Sequence, residues 1–352
     1  MKLSFISSAA IQNAMRQTIR QAQNEMTDAS TEATTGVYAD IGVALGGNTA
    51  LSVNLTREVT RIDSLLSSNS IADQRMSSSQ TALGDMSSQA QKMMDQLVAL
   101  RGNTDGSSVS LTRQTASATL SSFVSDANTM VNGEYLFAGT NTDVQPMTDN
   151  TANATAAIQT ALTQYASDNG TTVDQLTGAQ MTDFITTQVE PMFTSDSAPS
   201  PDNWASWSNA SGQNMSTRIS NSEVIDSSTN ANEPGMRYLA LATTVVNSLM
   251  GSGLNLSQDA LNAVNDQATS YTRQAIDGIN NQSSQLGLSQ SRLSDANASL
   301  NAQKDIINTS IGDLTGVDPY EASTKVNSLE TQLQTAYTIV SKIQQLSLVN
   351  YL

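Results

Sequence analysis

Neither histidine nor cysteine occurs among the 352 residues, so the side chains able to do chemistry here are carboxylates, hydroxyls and amides. Thiolate nucleophiles, disulfides, Cys/His zinc sites and imidazole acid–base catalysis are excluded; only carboxylate chemistry stays open. The 32 acidic residues show no metal-ligand cluster, and the chain carries neither a Walker loop nor a Gly-x-Ser-x-Gly turn. Carboxylates scattered through polar sequence solvate a surface, whereas general acid–base work needs them paired. No enzyme, cofactor or metal site is therefore expected. Trp204 and Trp207 lie together in a polar stretch, where they form either a small core or a ligand site. The methionines along residues 76–93 suit a soft binding surface or, at their helical spacing, core filling.

The regular spacing in this sequence is apolar. Ile279, Leu286, Leu293, Leu300, Ile307 and Leu314 recur every seven residues, the repeat that holds one seam of a helix against a partner helix. Three residues after each of the first five come Gln282, Ser289, Ala296, Gln303 and Ser310, so the stripe is too narrow to close a core alone. It reads as a helix laid in a groove between other long helices, or as an ordinary bundle helix.

Those partners are legible elsewhere. Ile11, Met15, Ile19, Ala22 and Met26 form a helical stripe, preceded by Leu3, Phe5 and Ile6. That helix is expected to fade over residues 29–35, before a glycine-rich loop at Gly42, Gly46 and Gly47. A long helix is predicted over 49–100, with a seam from Leu55 to Leu100 that Asn69 and Asp73 interrupt, and another over 109–131. Asn132-Gly133 predicts a turn, with a strand at Tyr135-Leu136-Phe137. In the polar middle, helices are predicted near 152–167 and 178–189 and a strand over 217–225. Pro234-Gly235 opens an apolar helix that ends at Gly251. Asp318 is placed as an N-cap, Pro319 as the first helical residue and Glu321 as the capping-box acid of the last helix. Its stripe continues through Val326, Leu329, Leu333, Ala336, Val340 and Ile343 to an apolar close, Leu346, Leu348, Val349, Tyr351 and Leu352. An apolar end of this kind is an association surface.

Charge divides the chain the same way. Residues 1–101 carry 8 basic and 9 acidic groups, residues 235–352 carry 6 and 9, and residues 102–234 carry 2 and 14, a net of −12. Near-neutral ends can pack against copies of themselves, while an acidic middle stays solvated. No basic patch exists for nucleic acid, no apolar run is long enough for membrane insertion, and the serine-rich start does not read as a cleaved signal peptide. Aromatic residues are 4%, a thin-core composition that favours an elongated fold.

The ends resemble the flagellin family of bacterial axial proteins. Thr34-Thr35-Gly36 stands where the family has its Ser/Thr-Thr-Gly turn, with Val37-Tyr38 in place of the usual basic residues. Within the family, the sequence is most similar to the branch that joins hook to filament. Three stretches carry this: 132–140 with Pro146 soon after, 318–322, and 346–352. The resemblance covers roughly 1–146 and 235–352. It implies a mainly α fold: an elongated antiparallel long-helix bundle built from both chain ends, with a short β-hairpin region and a small α+β insert. Residues 1–45 and 315–352 would be terminal helices paired in an inner tube. Residues 46–145 and 235–314 would form the rod and 146–234 an outward acidic insert.

It implies a structural subunit at the hook–filament junction, exported by the flagellar type III apparatus and located outside the cell. The implied partners are copies of itself, a neighbouring hook-associated protein, flagellin, and an export chaperone at the C-terminal region. Two alternatives stay open: a flagellin forming the filament itself, and a secreted helical type III protein that binds a host or membrane surface. The rod seam is Ile279 to Leu314 as spaced above. The expected assembly surface is Leu3, Phe5, Ile6, Ile11, Met15, Ile19, Val340, Ile343, Leu346, Leu348, Val349, Tyr351 and Leu352.

Overall fold

The computed structural model describes residues 8–101, 105–195, 203–251 and 253–349. These are mainly α-helical, with two small antiparallel hairpins. Chain contacts divide into two compact units: one from the two ends, up to Ser64 and from Ser299, the other Leu65–Ala298.

In the end unit, α1 (Ser8–Thr35) runs unbroken through the stretch where fading was expected. Its threonines 27, 31 and 35 donate their hydroxyls to carbonyls four residues back (2.8–3.0 Å), holding its last turns. A short α2 (Ile41–Leu45) follows, capped by Asp40, which accepts from the Val43 N–H at 2.9 Å. The final helix α10 (Pro319–Val349) starts as its sequence prescribes: Pro319 at the first position and Asp318 accepting from the Tyr320 N–H at 2.8 Å. Glu321 is exposed.

Helices α3 (Thr49–Leu100) and α9 (Gln258–Thr315) each contribute to both units. In the larger unit they are antiparallel, as cross-links of opposite sequence direction show: Asn69–Asn297 (2.7 Å), Asp73–Gln290 (3.0 Å), Ser87–Asn280 (3.1 Å) and Arg101–Asp266 (2.9 Å). The expected interruption at Asn69 does not break the helix. Asn69 is fully buried, and its amide donates to Asn297 Oδ1 and to the Ile219 carbonyl at 3.0 Å. A buried amide of this kind fixes register at some cost in stability.

Helix α4 (Gly106–Ala127) ends earlier than its apolar stripe predicts, because Met130–Val131 pairs as β1 with β2 (Glu134–Tyr135). Asn132, at the turn, adopts the left-handed conformation with φ 55°, which asparagine tolerates. Of the strand expected at Tyr135-Leu136-Phe137 only Tyr135 belongs to β2; Leu136, Phe137 and Ala138 follow it and are fully buried.

The middle contributes α5 (Thr151–Asp168), then α6 (Gly178–Phe184), continued by a π-helical turn (Ile185–Val189) into α7 (Glu190–Thr194). The single strand expected over 217–225 is instead a hairpin, β3 (Ser216–Arg218) and β4 (Val224–Asp226). The turn residues Ser220-Asn221-Ser222 reverse the chain there. Trp204 and Trp207 are both buried, in one continuous apolar cluster with Leu83, Phe123, Val246 and Leu286 rather than in a small core of their own.

Helix α8 (Pro234–Leu249) is buried on almost every side and packs against α4, α5 and α7. It also meets α9 backbone to backbone: a Cβ on Gly235 would lie 2.5 Å from the Ile279 nitrogen, and one on Gly278 would lie 2.5 Å from the Gly235 Cα. Only glycine at both positions lets the helices approach this closely.

Candidate assembly surface

In the end unit, α1 and α10 form an antiparallel pair. Beside α1's last residue, Gly36 has φ +72° and its carbonyl accepts from the Val317 N–H at 2.9 Å, while the Tyr38 N–H donates to Thr315 O at 3.0 Å. Further along, Gln23 Nε2 donates to the Tyr337 hydroxyl at 2.9 Å. The buried contact is narrow: Ala22 and Ala29 of α1 meet Leu329 and Leu333 of α10, with Ile19, Met26 and Val326 alongside. Positions 19, 22, 26 and 29 on one helix and 322, 326, 329 and 333 on the other step by three and four, the two-stranded coiled-coil pattern.

The predicted assembly residues fall on this pair in a graded way. Ile19 packs at the margin of its core. Met15, Val340 and Ile343 are half-buried, and Ile11 is exposed. The side chains of Leu346, Leu348 and Val349, and all of Leu3, Phe5, Ile6, Tyr351 and Leu352, lie outside the described residues. The pair also exposes apolar side chains that heptad reading does not find, because they sit off the seam. Tyr320 is 82% exposed, Tyr337 50% and Ile339 39%. In the same unit Val43 is 80% and Ile306 68% exposed. Their signal was a large apolar residue at a position the seam assigns to solvent.

The seven-residue seam divides along α9. Ile279, Leu286 and Leu293 are buried in the larger unit, at 0–2% exposure, and Leu300 is buried in the end unit. Ile307 and Leu314 are only half-buried. Of the weak half-seam, Gln282 is buried and donates to Thr229 Oγ1 at 2.9 Å, a polar contact standing where apolar packing would otherwise be.

Polar groups in the larger unit pin elements together. Arg75 is buried, and its guanidinium donates to Glu134 at 2.7 Å and to the Tyr135 carbonyl at 2.5 Å, fastening β2 to α3. Burial pulls its pKa down, and Glu134 opposes the shift. Glu190 accepts from the Tyr271 hydroxyl at 2.8 Å and the Tyr238 hydroxyl at 3.4 Å, with the two rings stacked. Burial, then this carboxylate, raises both phenol pKa values. Burial and the Asp183 hydrogen bond push Tyr165 up to about 12. Sequence reading missed Arg75 and Glu190; a charge within an apolar stripe was the available signal for Arg75. Each of these groups ties one secondary element to another. Among the described residues, no three acidic side chains cluster as a metal site and no helix is long and apolar enough to cross a membrane.

The two ends match known sequence families separately. The model of the N-terminal helical region of bacterial flagellin matches residues 6–142, and that of the C-terminal helical region matches 269–352. The chain belongs to the bacterial flagellin family. These are structural proteins of the flagellum, and membership implies assembly with other flagellar proteins outside the cell. Among solved structures, this flagellin-family chain is similar in fold to one described as a flagellar hook-associated protein from Vibrio parahaemolyticus. The TM-score is 0.52 at 14% identity, covering 76% of this chain and 97% of that one. No curated protein matches it in sequence.

Proposed function

We propose that this chain is an adaptor subunit at the junction between hook and filament. The observation that carries the reading is the α1–α10 pair: a narrow buried stripe holds it together, while Ile11, Tyr337 and Ile339 stay exposed on it. Apolar side chains left in water on a coiled-coil pair favour packing against further helices. In this reading, residues 1–45 and 315–352 are the inner-tube segments and their assembly surface runs from Leu3 to Ile19 and from Val340 to Leu352. Residues 46–145 and 235–314 form the rod, and 146–234 faces outward. Export runs through the flagellar type III apparatus, with a chaperone on the C-terminal region. The partners are copies of the chain, a hook-associated protein and flagellin.

The junction, rather than the filament, is favoured by the 132–140 and 346–352 stretches. The fold likeness across nearly all of a hook-associated structure points the same way. Filament formation is the second reading, because both matched models are of flagellin regions. Seeded polymerisation separates them. A junction subunit adds a short ring to purified hooks and stops, and its deletion leaves cells that release flagellin into the medium. Long filaments grown from this chain alone would establish the second reading.

A further inference from the structure

The β3–β4 hairpin has two strands only, so among the described residues no third strand pairs with either outer edge. On β4, Ile225 lies opposite Thr217. The ladder around it is set by Ile219 N–H to Glu223 O at 3.0 Å and Ser227 N–H to Met215 O at 2.8 Å. Antiparallel residues alternate between bonding across the pair and pointing away from it. Ile225 therefore bonds inward, and Val224 and Asp226 turn their N–H and C=O groups outward. Neither residue's backbone finds another partner among the described residues.

Beside that edge runs a cleft of about 310 Å³ whose opposite wall is α9, through Gln285, Leu288 and Arg292. A strand edge facing a helix across a cleft is the geometry in which an extended chain adds a strand and sends alternate side chains toward the helix. Apolar contact is available at both lips: Val224 is 48% exposed and Leu288 64%. At the floor, buried Gln282 has an Oε1 without a hydrogen-bond partner.

Charge selects the occupant. Arg292 is already paired with Glu223 at 2.7 Å. Asp226 also lines the cleft and has neither ion pair nor side-chain hydrogen bond among the described residues. The uncompensated charge is thus negative, in a stretch (102–234) of net −12. A cationic side chain gains there and an anionic one is repelled. We propose that the β4 edge docks an extended basic peptide segment of a partner protein. Its main chain pairs with Val224 and Asp226, a small apolar residue sits between Val224 and Leu288, and a Lys or Arg lies against Asp226. The competing explanation is that a short edge carrying an acid merely resists pairing.

The test uses the full chain and a fluorescein-labelled peptide of alternating valine and lysine, followed by fluorescence anisotropy. A valine–glutamate analogue and a copy N-methylated on alternate amides serve as comparisons. The valine–lysine peptide should bind, with both comparisons at least about tenfold weaker. Asp226→Lys should reverse the charge preference. Val224→Pro removes an outward N–H while leaving the inward bonds of Ile225, so it should weaken binding without changing that preference. Melting curves by circular dichroism check that each variant is folded; if Val224→Pro is not, Asp226→Lys and the N-methylated peptide decide. Equal binding of the N-methylated peptide, an unchanged preference in Asp226→Lys, or no binding of the valine–lysine peptide would each overturn the proposal.

Discussion

Leu293 and Leu288 sit five residues apart on α9, which makes a matched pair of truncations informative. Leu293 is 2% exposed and belongs to the main apolar cluster; Leu288 is 64% exposed. Replacing either with alanine changes helix propensity by the same few tenths of a kcal/mol, in alanine's favour. The difference between them therefore isolates burial. At Leu293, three methylene-equivalents leave the core at roughly 0.8 kcal/mol each. A cavity term adds about 1 kcal/mol where neighbours relax only partly. The adjoining seam positions Ala296 and Leu286 are small or held in their own contacts, so collapse into the gap is limited. The expected cost of Leu293→Ala is about 3 kcal/mol, against less than ~0.5 kcal/mol for Leu288→Ala. For a unit of this size that is a fall of roughly 6–12 °C in melting temperature for the first variant and almost none for the second. Urea unfolding followed by circular dichroism gives the free energies directly. Equal costs for the two variants, or a loss under about 1 kcal/mol at Leu293, would refute the assignment of the seven-residue seam as core.

Three further outcomes follow from other contacts. Asp126 is half-buried, and burial, then the charge of Asp85, raises its carboxyl above the ordinary 3.8. The folded state then holds this proton more tightly than the unfolded one, so stability falls as pH rises through the interval above 3.8 and stays lower at neutrality. Asp126→Asn should raise the melting temperature at pH 7 with the advantage vanishing at strongly acid pH; a pH-independent difference would contradict this. Gly278→Ala places a methyl against the Gly235 backbone and should cost at least ~2 kcal/mol in urea titration, because neither helix backbone can yield cheaply. Ile339→Ser on the exposed side of α10 should leave the monomer's melting within about 1 °C of the parent. Its addition to purified hooks, counted by electron microscopy, should drop, and undiminished addition would mean that Ile339, beside the proposed surface, takes no part in assembly.

The helices were largely legible in the sequence because their causes are local. The bounds of α3 and the start of α10 follow from apolar periodicity and a cap. The burial of Ile279 through Leu300 follows from a repeat of seven. Legibility failed where long-range contact decides. The Ser220–Ser222 reversal is the exception: its Ser-Asn-Ser run is a local turn signal, which the single strand read over 217–225 passed over. Asn69 looked like an interruption, yet it is a buried register contact because Asn297 and the Ile219 carbonyl, both distant in sequence, arrive at its amide. Arg75 lies within an apolar stripe, but its role depends on Glu134 and the Tyr135 carbonyl, which converge on it from far along the chain. The exposed residues of α10 escaped for the opposite reason: seam arithmetic finds what one partner covers and is silent about the faces that partner leaves exposed.

The same asymmetry appears in how the two units bury their apolar residues. In the larger unit, α8 has apolar residues around its circumference, and each side is covered from within the chain by α4, α5, α7 or α9. Residues of the polar middle supply part of that cover: Ile158, Leu162, Phe184 and Phe193 are buried in the same cluster as Leu239 and Val246. A segment with a net charge of −12 can thus present acid to solvent while its few large apolar residues close the core beneath. In the end unit the arithmetic runs the other way. Among the described residues, two helices of about thirty residues bury chiefly three alanines (22, 29 and 322) and two leucines (329 and 333), with three further residues at the margin. A stripe that thin contributes little beyond what isolated helices of that length need to persist in water. The apolar side chains left outside, Ile11, Tyr337 and Ile339 among them, are the ones that the proposed assembly would bury. Under the proposed function the pair is completed by assembly, whereas the larger unit closes its core with its own chain.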